Sequence, residues 1–320
     1  DAKTGEVIWQ QSYACRLDAR MFEGGPGATP TVADGKVYTL SHDGKLNCFD
    51  ADSGKPVWSV DIVDELGGKR PRWGFAGSPL VYDKLVIVDT GSPRGSTVAL
   101  NKDTGKAVWT SGNQGAGYAA PIVLKMGGKD LIVSFKAEQL VAMEPKTGRQ
   151  VWSVPWETSY DVNATPPVRV DDDKLFISTG YNRGCALVRI TRGGAATLWE
   201  NREMSTQLNA VVKHGDYVYG VTGNSGRGDL MCMRLSDGKV MWTQGGYGTG
   251  AVMLAGDYLI VTSEKGGKLA VAPASPDGFK PTGQMAGLYP NRSWVVPVLS
   301  HGRIFVKDNK GHLAAVSVKP

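Results

Sequence analysis

Residues 101–109 have the sequence NKDTGKAVW, and variants of this phrase recur along the whole chain. The copies that end in tryptophan are DAKTGEVIW (1–9), DADSGKPVW (50–58), EPKTGRQVW (144–152) and RLSDGKVMW (234–242), with a weaker copy that ends at Trp199. A further copy, APASPDGFKPT (272–282), keeps the glycine and lacks the tryptophan. Successive tryptophans lie 49, 51, 43, 47 and 43 residues apart. A period of about 40–50 residues is typical of one four-stranded blade of a β-propeller.

Each period contains four short segments that are rich in β-branched residues. Within residues 77–109 these are GSPLVY, DKLVIVDTG, STVALN and KAVW, which we interpret as four strands. A tight turn precedes the last strand, and glycine adopts a positive φ there without a steric penalty from Cβ. The in-phase glycines are Gly5, Gly54, Gly105, Gly148 and Gly238. The in-phase tryptophans, predicted to cover the joint to the neighbouring blade, are Trp9, Trp58, Trp109, Trp152, Trp199 and Trp242.

The repeat predicts one domain over residues 1–320, an all-β closed β-propeller of seven four-stranded antiparallel blades. The blades are expected to start near residues 28, 77, 119, 164, 208, 249 and 295. The last unit, 296–320, contains only three strand-like segments. We therefore expect an N-terminal strand, within residues 1–10, to close the last blade and remove the exposed sheet edge. An open solenoid is the competing architecture, but it would need a polar cap at each end.

The phrase AxDxxTGxxxW resembles the PQQ-like repeat of quinoprotein dehydrogenases and of the BamB-type outer-membrane assembly lipoproteins. The copies that carry the resemblance are Cys48-Asp50-Gly54-Trp58, Ala99-Asn101-Gly105-Trp109 and Ala142-Glu144-Gly148-Trp152. Residues 70–91, 162–181 and 246–279 resemble secreted bacterial BamB-like propellers. The resemblance implies a periplasmic or secreted protein of the bacterial cell envelope with a non-catalytic binding or scaffolding role. Such relatives usually carry one more blade upstream, so a longer parent would have eight.

Composition excludes several classes of function. The net charge is only +5 over 320 residues, and basic and acidic residues are interspersed, so we expect no nucleic-acid partner. No apolar run approaches the roughly 18 residues that span a bilayer, so we expect no transmembrane segment. We expect a monomer.

The cysteines and histidines show no strong site pattern. No two of the four cysteines form a CxxC pair, and Cys48, Cys185 and Cys232 lie in apolar strands, so we interpret them as small buried hydrophobes. His42 and Asp43 share a turn that could bind a metal, but partners at ligand spacing are lacking. The sequence therefore predicts no catalytic residue and no metal ligand.

A quinone-dependent dehydrogenase is the alternative function. The resemblance implies that such an enzyme would bind PQQ between a tryptophan and a disulfide of adjacent cysteines, with a calcium ion beside it. This chain has no adjacent cysteine pair. The acidic candidates, Glu138, Asp161, Asp229 and Glu264, lie in different blades and would converge only if all of them faced the axis. We expect no cofactor, with PQQ and calcium kept as the alternative.

Long loops of two kinds are expected on one face of the propeller: those entering a first strand and those joining the second strand to the third. Their arginines and aromatic residues match the composition of binding hot spots. The predicted site residues are Arg70, Arg72, Trp73, Arg94, Trp156, Tyr160, Tyr181, Arg183, Arg227, Arg292 and Trp294. We expect a protein, a peptide or an anionic glycan to bind there. The alternative is that the aromatics pack beneath their own loops and the arginines pair with local acids.

Overall fold

The computed structural model describes residues 1–15, 27–191, 194–224 and 226–318. In these ranges the chain forms seven consecutive antiparallel sheets and one short 3₁₀ turn, Ser159–Asp161. The predicted fold class, an all-β propeller, is confirmed. Each first strand begins two to four residues after its predicted start. Among the described residues, no helix is long and apolar enough to cross a membrane.

The chain divides into two compact units, residues 1–124 with 130–151 and residues 125–129 with 152–320, and the division falls within the third sheet. The strands of the first three sheets are β1 (Thr31–Ala33), β2 (Lys36–Leu40), β3 (Lys45–Asp50), β4 (Pro56–Asp61), β5 (Leu80–Tyr82), β6 (Leu85–Ser92), β7 (Gly95–Asn101), β8 (Ala107–Ser111), β9 (Ile122–Met126), β10 (Lys129–Phe135), β11 (Gln139–Met143) and β12 (Gln150–Pro155). Within each sheet, strands that are consecutive in sequence are neighbours.

The remaining four sheets follow the same up-and-down order. Their strands are β13 (Val168–Arg169), β14 (Lys174–Thr179), β15 (Gly184–Thr191), β16 (Gly194–Asn201), β17 (Val212–His214), β18 (Tyr217–Asn224), β19 (Arg227–Arg234), β20 (Val240–Gln244), β21 (Ala251–Ala255), β22 (Tyr258–Thr262), β23 (Leu269–Pro273), β24 (Gly283–Met285), β25 (Val298–Ser300), β26 (Arg303–Lys307) and β27 (Leu313–Ser317). We number the sheets as blades 1 to 7 in chain order.

The turn of the repeated phrase is stabilised by its own first residue. In blade 1 the Asp50 carboxylate accepts a hydrogen bond from the Ser53 N–H (2.8 Å), and the Gly54 N–H donates to the Asp50 carbonyl (2.9 Å). Asn101 accepts equivalent bonds from the N–H groups of Asp103 and Thr104 in blade 2. These local bonds explain the Asp or Asn that begins three copies of the phrase, at residues 1, 50 and 101.

In four copies of the phrase, the final tryptophan packs on the glycine of the next phrase. The Trp58 Nε1–H donates to the Lys102 carbonyl (2.9 Å), and a Cβ on Gly105 would lie 2.9 Å from the Trp58 ring. The same glycine contact joins Trp9 to Gly54, Trp109 to Gly148 and Trp199 to Gly238. The glycine is therefore required twice, once for its positive φ and once because the indole leaves no room for a side chain.

Apolar side chains of adjacent blades form the core. Tyr38, Leu46 and Val88 are buried in a cluster that blades 1 and 2 share. Cys48, Cys185 and Cys232 are fully buried, as the sequence predicted. Each cysteine lies opposite or near a tryptophan of its own blade; Cys48, for example, pairs across the sheet with Trp58.

The last blade has three strands, because the predicted N-terminal closing strand is not formed in the described residues. Residues 5–9 form no strand, and Val7 and Ile8 are 73% and 75% exposed. The segment is held instead by its own turn and by Trp9, whose Nε1–H donates to the Ala51 carbonyl (2.9 Å) of blade 1. The N-terminal segment is therefore held against blade 1 by the Trp9 side chain, without the backbone hydrogen bonds of a strand pair.

Trp152 departs from the pattern. Its Nε1 is buried and has no hydrogen-bond partner in the part of the chain that the structure describes. By contrast, the Trp109 Nε1–H donates to the Pro145 carbonyl at 2.9 Å. The next phrase along the chain is the degraded copy that ends at Trp199.

Replacing each of these two tryptophans by phenylalanine tests the value of the indole hydrogen bond. Trp109→Phe should lower the free energy of unfolding by about 1 kcal/mol more than Trp152→Phe, because only the first loses a hydrogen bond. Both rings are at least nine-tenths buried, so the cavity costs are matched. Urea denaturation measures the difference, and equal losses would contradict the assigned role of the Nε1–H.

Alanine variants of two glycines distinguish the requirement for a positive φ from the requirement for space beside the indole ring. Gly148 and Gly215 both have positive φ, but a Cβ on Gly148 would lie 2.4 Å from the Trp109 ring, whereas nothing lies within 4 Å at Gly215. Both alanine variants carry the left-handed backbone penalty of about 1–2 kcal/mol. Gly148→Ala should lose about 1–3 kcal/mol more, because the indole must move. Equal unfolding free energies for the two variants would show that the contact is unimportant.

Candidate binding surfaces on the long loops

Backbone hydrogen bonds join the two kinds of long loop. The Lys69 N–H, in a loop that enters a first strand, donates to the Thr90 carbonyl at the end of a second strand (2.9 Å). The Glu264 N–H donates to the Tyr247 carbonyl (2.7 Å), and the Asn309 N–H to the Arg292 carbonyl (2.9 Å). Within each unit, the loops predicted to share a face therefore lie side by side.

In the first unit, residues 67–77 and 91–96 form an exposed basic surface. Lys69, Arg70, Arg72 and Arg94 are exposed, and neither segment contains an acidic residue. We call these four side chains the basic loop surface. Sequence reasoning missed Lys69, although its place directly before Arg70 in the predicted loop 67–77 was a usable signal.

An aromatic pair supports the basic loop surface from below. The rings of Trp73 and Tyr118 lie 5.8 Å apart, and the Trp73 N–H donates to the Tyr118 hydroxyl (3.4 Å). The Arg72 guanidinium lies 5.1 Å from the centre of the Trp73 ring, within the range of a cation–π contact. Trp73 therefore positions the loop and also orients one of its arginines.

Beside this loop lies a cluster of three potential metal ligands, which we call the Cys15 cluster: Cys15, His42 and Asp43. The Cys15 Sγ is 3.6 Å from the His42 Nδ1 and 3.2 Å from an Asp43 carboxylate oxygen. Burial and the hydrogen bond to Asp43 raise the pKa of the Cys15 thiol. A raised pKa disfavours the thiolate, so the cluster does not resemble an activated cysteine nucleophile.

A buried ion pair joins Asp89 of β6 to Lys136, which directly follows β10. The Lys136 side chain is 1% exposed and pairs with the Asp89 carboxylate, which also accepts a hydrogen bond from the Thr97 hydroxyl (2.9 Å). Burial lowers the pKa of Lys136, and Asp89 opposes that effect. The pair was missed in the sequence, where the only signal was a lysine directly after an apolar strand. The Lys136 Nζ also donates to the Ser96 carbonyl (3.3 Å), so we interpret the pair as a structural support of residues 91–96.

In the second unit, Trp156 and Arg183 are used internally. Trp156 is 3% exposed, and its Nε1–H donates to the Thr179 hydroxyl (2.8 Å). The Arg183 guanidinium stacks 3.6 Å from the centre of the Trp156 ring and pairs with the Glu200 carboxylate. These two residues match the alternative in which loop aromatics pack beneath their loops and arginines pair with local acids.

Arg292 and Trp294 converge on a buried acid. Glu264 is 2% exposed, its carboxylate lies 3.5 Å from the Arg292 Nε, and the Trp294 Nε1–H donates to it (3.3 Å). The Thr249 N–H donates to the other carboxylate oxygen (3.2 Å). The charge of Arg292 is thus largely balanced within the unit, which the loop sequence alone did not reveal.

Tyr160 and Tyr181 form an aromatic pair with strained backbone. Their rings meet edge to face, 5.3 Å apart, and Tyr160 is 56% exposed. Both tyrosines have positive φ, +63° and +56°, as do the adjacent Asp161 and Asn182. Bulky residues rarely adopt this conformation, and strain of this kind clusters at binding and catalytic sites. This pair is the best candidate for a contact surface in the second unit.

Arg227 is exposed and lines an open groove of about 460 Å³. The groove is also lined by Thr222, Gly223, Gly226, Gly228, Asp229, Gly246 and Gly248. Residue 225, within the predicted loop 223–228, lies outside the described residues. The groove combines one guanidinium, one carboxylate and exposed backbone, and this composition suits a ligand with several hydrogen-bonding groups.

Within the second unit, the described side chains of Asp161, Asp229 and Glu264 do not assemble into one candidate calcium site. Among the described residues, Cys15, His42 and Asp43 form the one group of three or more potential ligands within reach of a single ion. Glu138, Asp161 and Asp229 are exposed, whereas Glu264 is buried with Arg292 and Trp294. These side chains do not fit the carboxylate-rich donor set that calcium beside a quinone would need, so we derive no step through that group.

The antiparallel blades joined by tryptophan–glycine contacts define the class of PQQ-like repeat propellers. A family model described as outer membrane protein assembly factor BamB matches residues 1–244. The chain belongs to this family.

Two curated relatives and one solved structure are similar to the chain. BamB of Moranella endobia is 24% identical over 303 residues, which are 90% of this chain and 74% of that protein. Quinoprotein ethanol dehydrogenase of Pseudomonas aeruginosa is 31% identical over 209 residues, 57% of this chain and 32% of the enzyme, so the chain spans about a third of that relative's length. The crystal structure of BamB from Moraxella catarrhalis matches with a TM-score of 0.66 and 18% identity, over 90% of this chain and 82% of that one. The structural match shows the shared fold.

Asp308 accepts a hydrogen bond from Asn291, which precedes Arg292 in the same loop. The ionised Asp308 carboxylate makes the free energy of unfolding depend on pH. Burial alone would raise the pKa of Asp308, but hydrogen bonds from Asn291 and from the N–H groups of His312 and Lys310 lower it to about 2. A carboxylate with a depressed pKa stabilises the fold above its unfolded pKa of about 3.9 and loses that contribution as the pH falls towards 2.

Asp308→Asn should therefore lower the unfolding free energy at pH 7 by roughly 2 kcal/mol. The gap between the variant and the parent should narrow as the pH falls from about 5 towards 2, because the parent carboxylate becomes protonated. Denaturation curves across this range measure the gap. The exposed Asp64→Asn is the control, and a gap that stays constant with pH would contradict the role of Asp308.

Proposed function

We propose that this chain is a non-catalytic scaffold of the bacterial cell envelope that binds a protein or peptide partner through its long loops. Membership of the family described as outer membrane protein assembly factor BamB carries the proposal. The same family supports a periplasmic or secreted location. A relative that the chain covers to 74% of its length has the same description.

The partner is proposed to be at least partly anionic. The basic loop surface places Lys69, Arg70, Arg72 and Arg94 in water without an acidic residue in the same two segments. Guanidinium groups suit carboxylates, because their planar forks make bidentate hydrogen bonds. Since the whole chain carries only +5, this local field is a feature of the loops and not of the composition.

Aromatic contacts favour a polypeptide over a free ion. In the second unit, Tyr160 and Tyr181 offer two ring surfaces beside the backbone of residues 159–161. Tyrosine is enriched at protein interfaces because it contributes both apolar area and a hydroxyl group. An anionic glycan is the other ligand class that this composition suits, and the experiment below distinguishes it.

Arg183 and Arg292 carry less of the proposal than the exposed arginines do. Each is paired with a glutamate of its own unit, and each lies over a tryptophan ring. Charge reversal at Arg292 would place a negative side chain beside the buried Glu264, so that variant would disturb the fold as well as any interface. The basic loop surface is therefore the cleaner place for a test.

A quinone-dependent dehydrogenase is the second candidate, and the similarity to quinoprotein ethanol dehydrogenase favours it. Incubation with PQQ and calcium, followed by the cofactor's absorbance and by dye reduction with an alcohol, tests it. Absorbance that remains with the protein together with dye reduction would replace the scaffold proposal.

The scaffold proposal is tested by photo-crosslinking in the native cell, with a photoreactive residue at the exposed Pro93. A matched probe at Asp103, in the turn of the repeated phrase, serves as the control. We expect a discrete cross-linked polypeptide at position 93 that mass spectrometry identifies. A product that resists protease and is degraded by glycosidases would assign a glycan instead.

Charge reversal then measures the contribution of the basic loop surface. Lys69→Glu combined with Arg94→Glu should weaken binding of the identified partner by about tenfold at low salt, with a smaller effect at high salt. Lys55→Glu combined with Lys106→Glu changes the net charge equally in exposed turn residues and should leave the affinity unchanged. Equal effects of the two double variants would overturn the site assignment.

A further inference from the structure

The Cys15 cluster brings together three different donor groups from two separate segments. Cys15 lies in the N-terminal segment, and His42 and Asp43 lie in the turn between β2 and β3. The thiol, imidazole and carboxylate donors all lie within 4.8 Å of one another. Thiolate and imidazole ligands favour zinc and similar borderline-soft cations, whereas calcium and magnesium prefer oxygen ligands alone.

The spacing of the donors matches a tetrahedral metal. With Zn–S near 2.3 Å and Zn–N or Zn–O near 2.1 Å, neighbouring ligand atoms of a tetrahedral site lie about 3.4–3.6 Å apart. The Cys15 Sγ is 3.6 Å from the His42 Nδ1 and 3.2 Å from the Asp43 oxygen. The third pair, the His42 Nδ1 and an Asp43 carboxylate oxygen, lies within 4.8 Å, so small shifts at these contacts would bring all three donors to tetrahedral spacing.

Packing already holds the imidazole in the orientation that the site needs. His42 is 6% exposed, and a Cβ on Gly74 would lie 2.6–2.9 Å from its carbonyl and side chain. The Phe75 N–H donates to the His42 carbonyl (2.9 Å), and the Ser41 hydroxyl donates to the Asp43 carboxylate. Two of the three donors are therefore positioned by the fold, which lowers the cost of binding.

We propose that Cys15, His42 and Asp43 bind a zinc-type divalent cation through the Cys15 Sγ, the His42 Nδ1 and an Asp43 carboxylate oxygen. Three protein ligands from the described residues leave a fourth tetrahedral position for water or an external ligand, as in zinc sites with exchangeable ligands. This proposal is independent of the scaffold function, because it rests on the donors and their spacing alone.

Arg70 regulates the affinity of the site. Its Nη1 lies 3.5 Å from the His42 Nε2, on the opposite edge of the ring from Cys15. A guanidinium is always positively charged, so at this distance from the ring it repels a divalent cation that binds on the other edge. Arg70 is exposed and can move away, and its charge therefore opposes metal binding.

Cobalt and zinc titrations of the full chain test the proposal, after treatment with a reductant and a chelator. Cobalt should produce a thiolate-to-metal charge-transfer band that saturates at one ion per chain. Only Cys15 can supply that thiolate in the folded protein, because the other three cysteines are fully buried. Competition calorimetry should then show zinc displacing cobalt from the same site.

Three variants give the expected pattern, and one control accompanies them. Cys15→Ser should abolish the band, and it and Asp43→Asn should each weaken zinc binding by at least about tenfold. Arg70→Gln should strengthen zinc binding, because it removes a positive charge beside His42. A cluster that only stabilises the fold would show no gain in zinc affinity. His301→Gln removes an exposed turn histidine and should change nothing. Absence of the charge-transfer band at equimolar cobalt, or a band that persists in Cys15→Ser, would overturn the proposed site. Melting temperatures confirm that each variant is folded.

Discussion

The contact between a tryptophan and the glycine of the following phrase is the interaction on which the rest of the structure depends. It places a large flat ring against a backbone that has no side chain, and in most copies the indole N–H also donates to a carbonyl of the next blade. Because both partners belong to the same repeated phrase, the contact recurs in the four copies that form it, at Trp9, Trp58, Trp109 and Trp199. At these joints the spacing of neighbouring blades is encoded locally in the repeated phrase.

The long loops lie at the opposite ends of the strands from the phrase turns. In blades 1 and 2 the short turn of the phrase contains both a glycine that packs on a tryptophan and an Asp or Asn that accepts backbone hydrogen bonds. The long loops lie outside the repeated phrase. Those loops contain the exposed arginines of residues 67–77 and 91–96 and the strained tyrosines Tyr160 and Tyr181. Loops on a rigid scaffold commonly form binding surfaces, because the packed strands stabilise the fold and the loop residues contact the ligand.

Residues of the same type have opposite roles in these loops. Arg94 is exposed, whereas Arg183 and Arg292 lie over tryptophan rings and pair with Glu200 and Glu264. The distinction follows from which acidic side chain the next strand or loop presents. A surface of this kind cannot be judged by counting arginines, because each neutralised guanidinium adds packing but little field.

The blade count, the strand starts, the turn glycines and the buried cysteines were determined by the sequence itself, since these features depend on contacts within one phrase or between identical phrases. The tertiary structure alone decided the rest. It brought Cys15 to His42 across 27 residues, buried Lys136 against Asp89, and left residues 5–9 outside a sheet although their pattern is that of a strand. Periodicity reports what a segment can form, but the partner of a thiol, a lysine or a strand edge is set by which distant segments the fold brings together, and no local pattern records that.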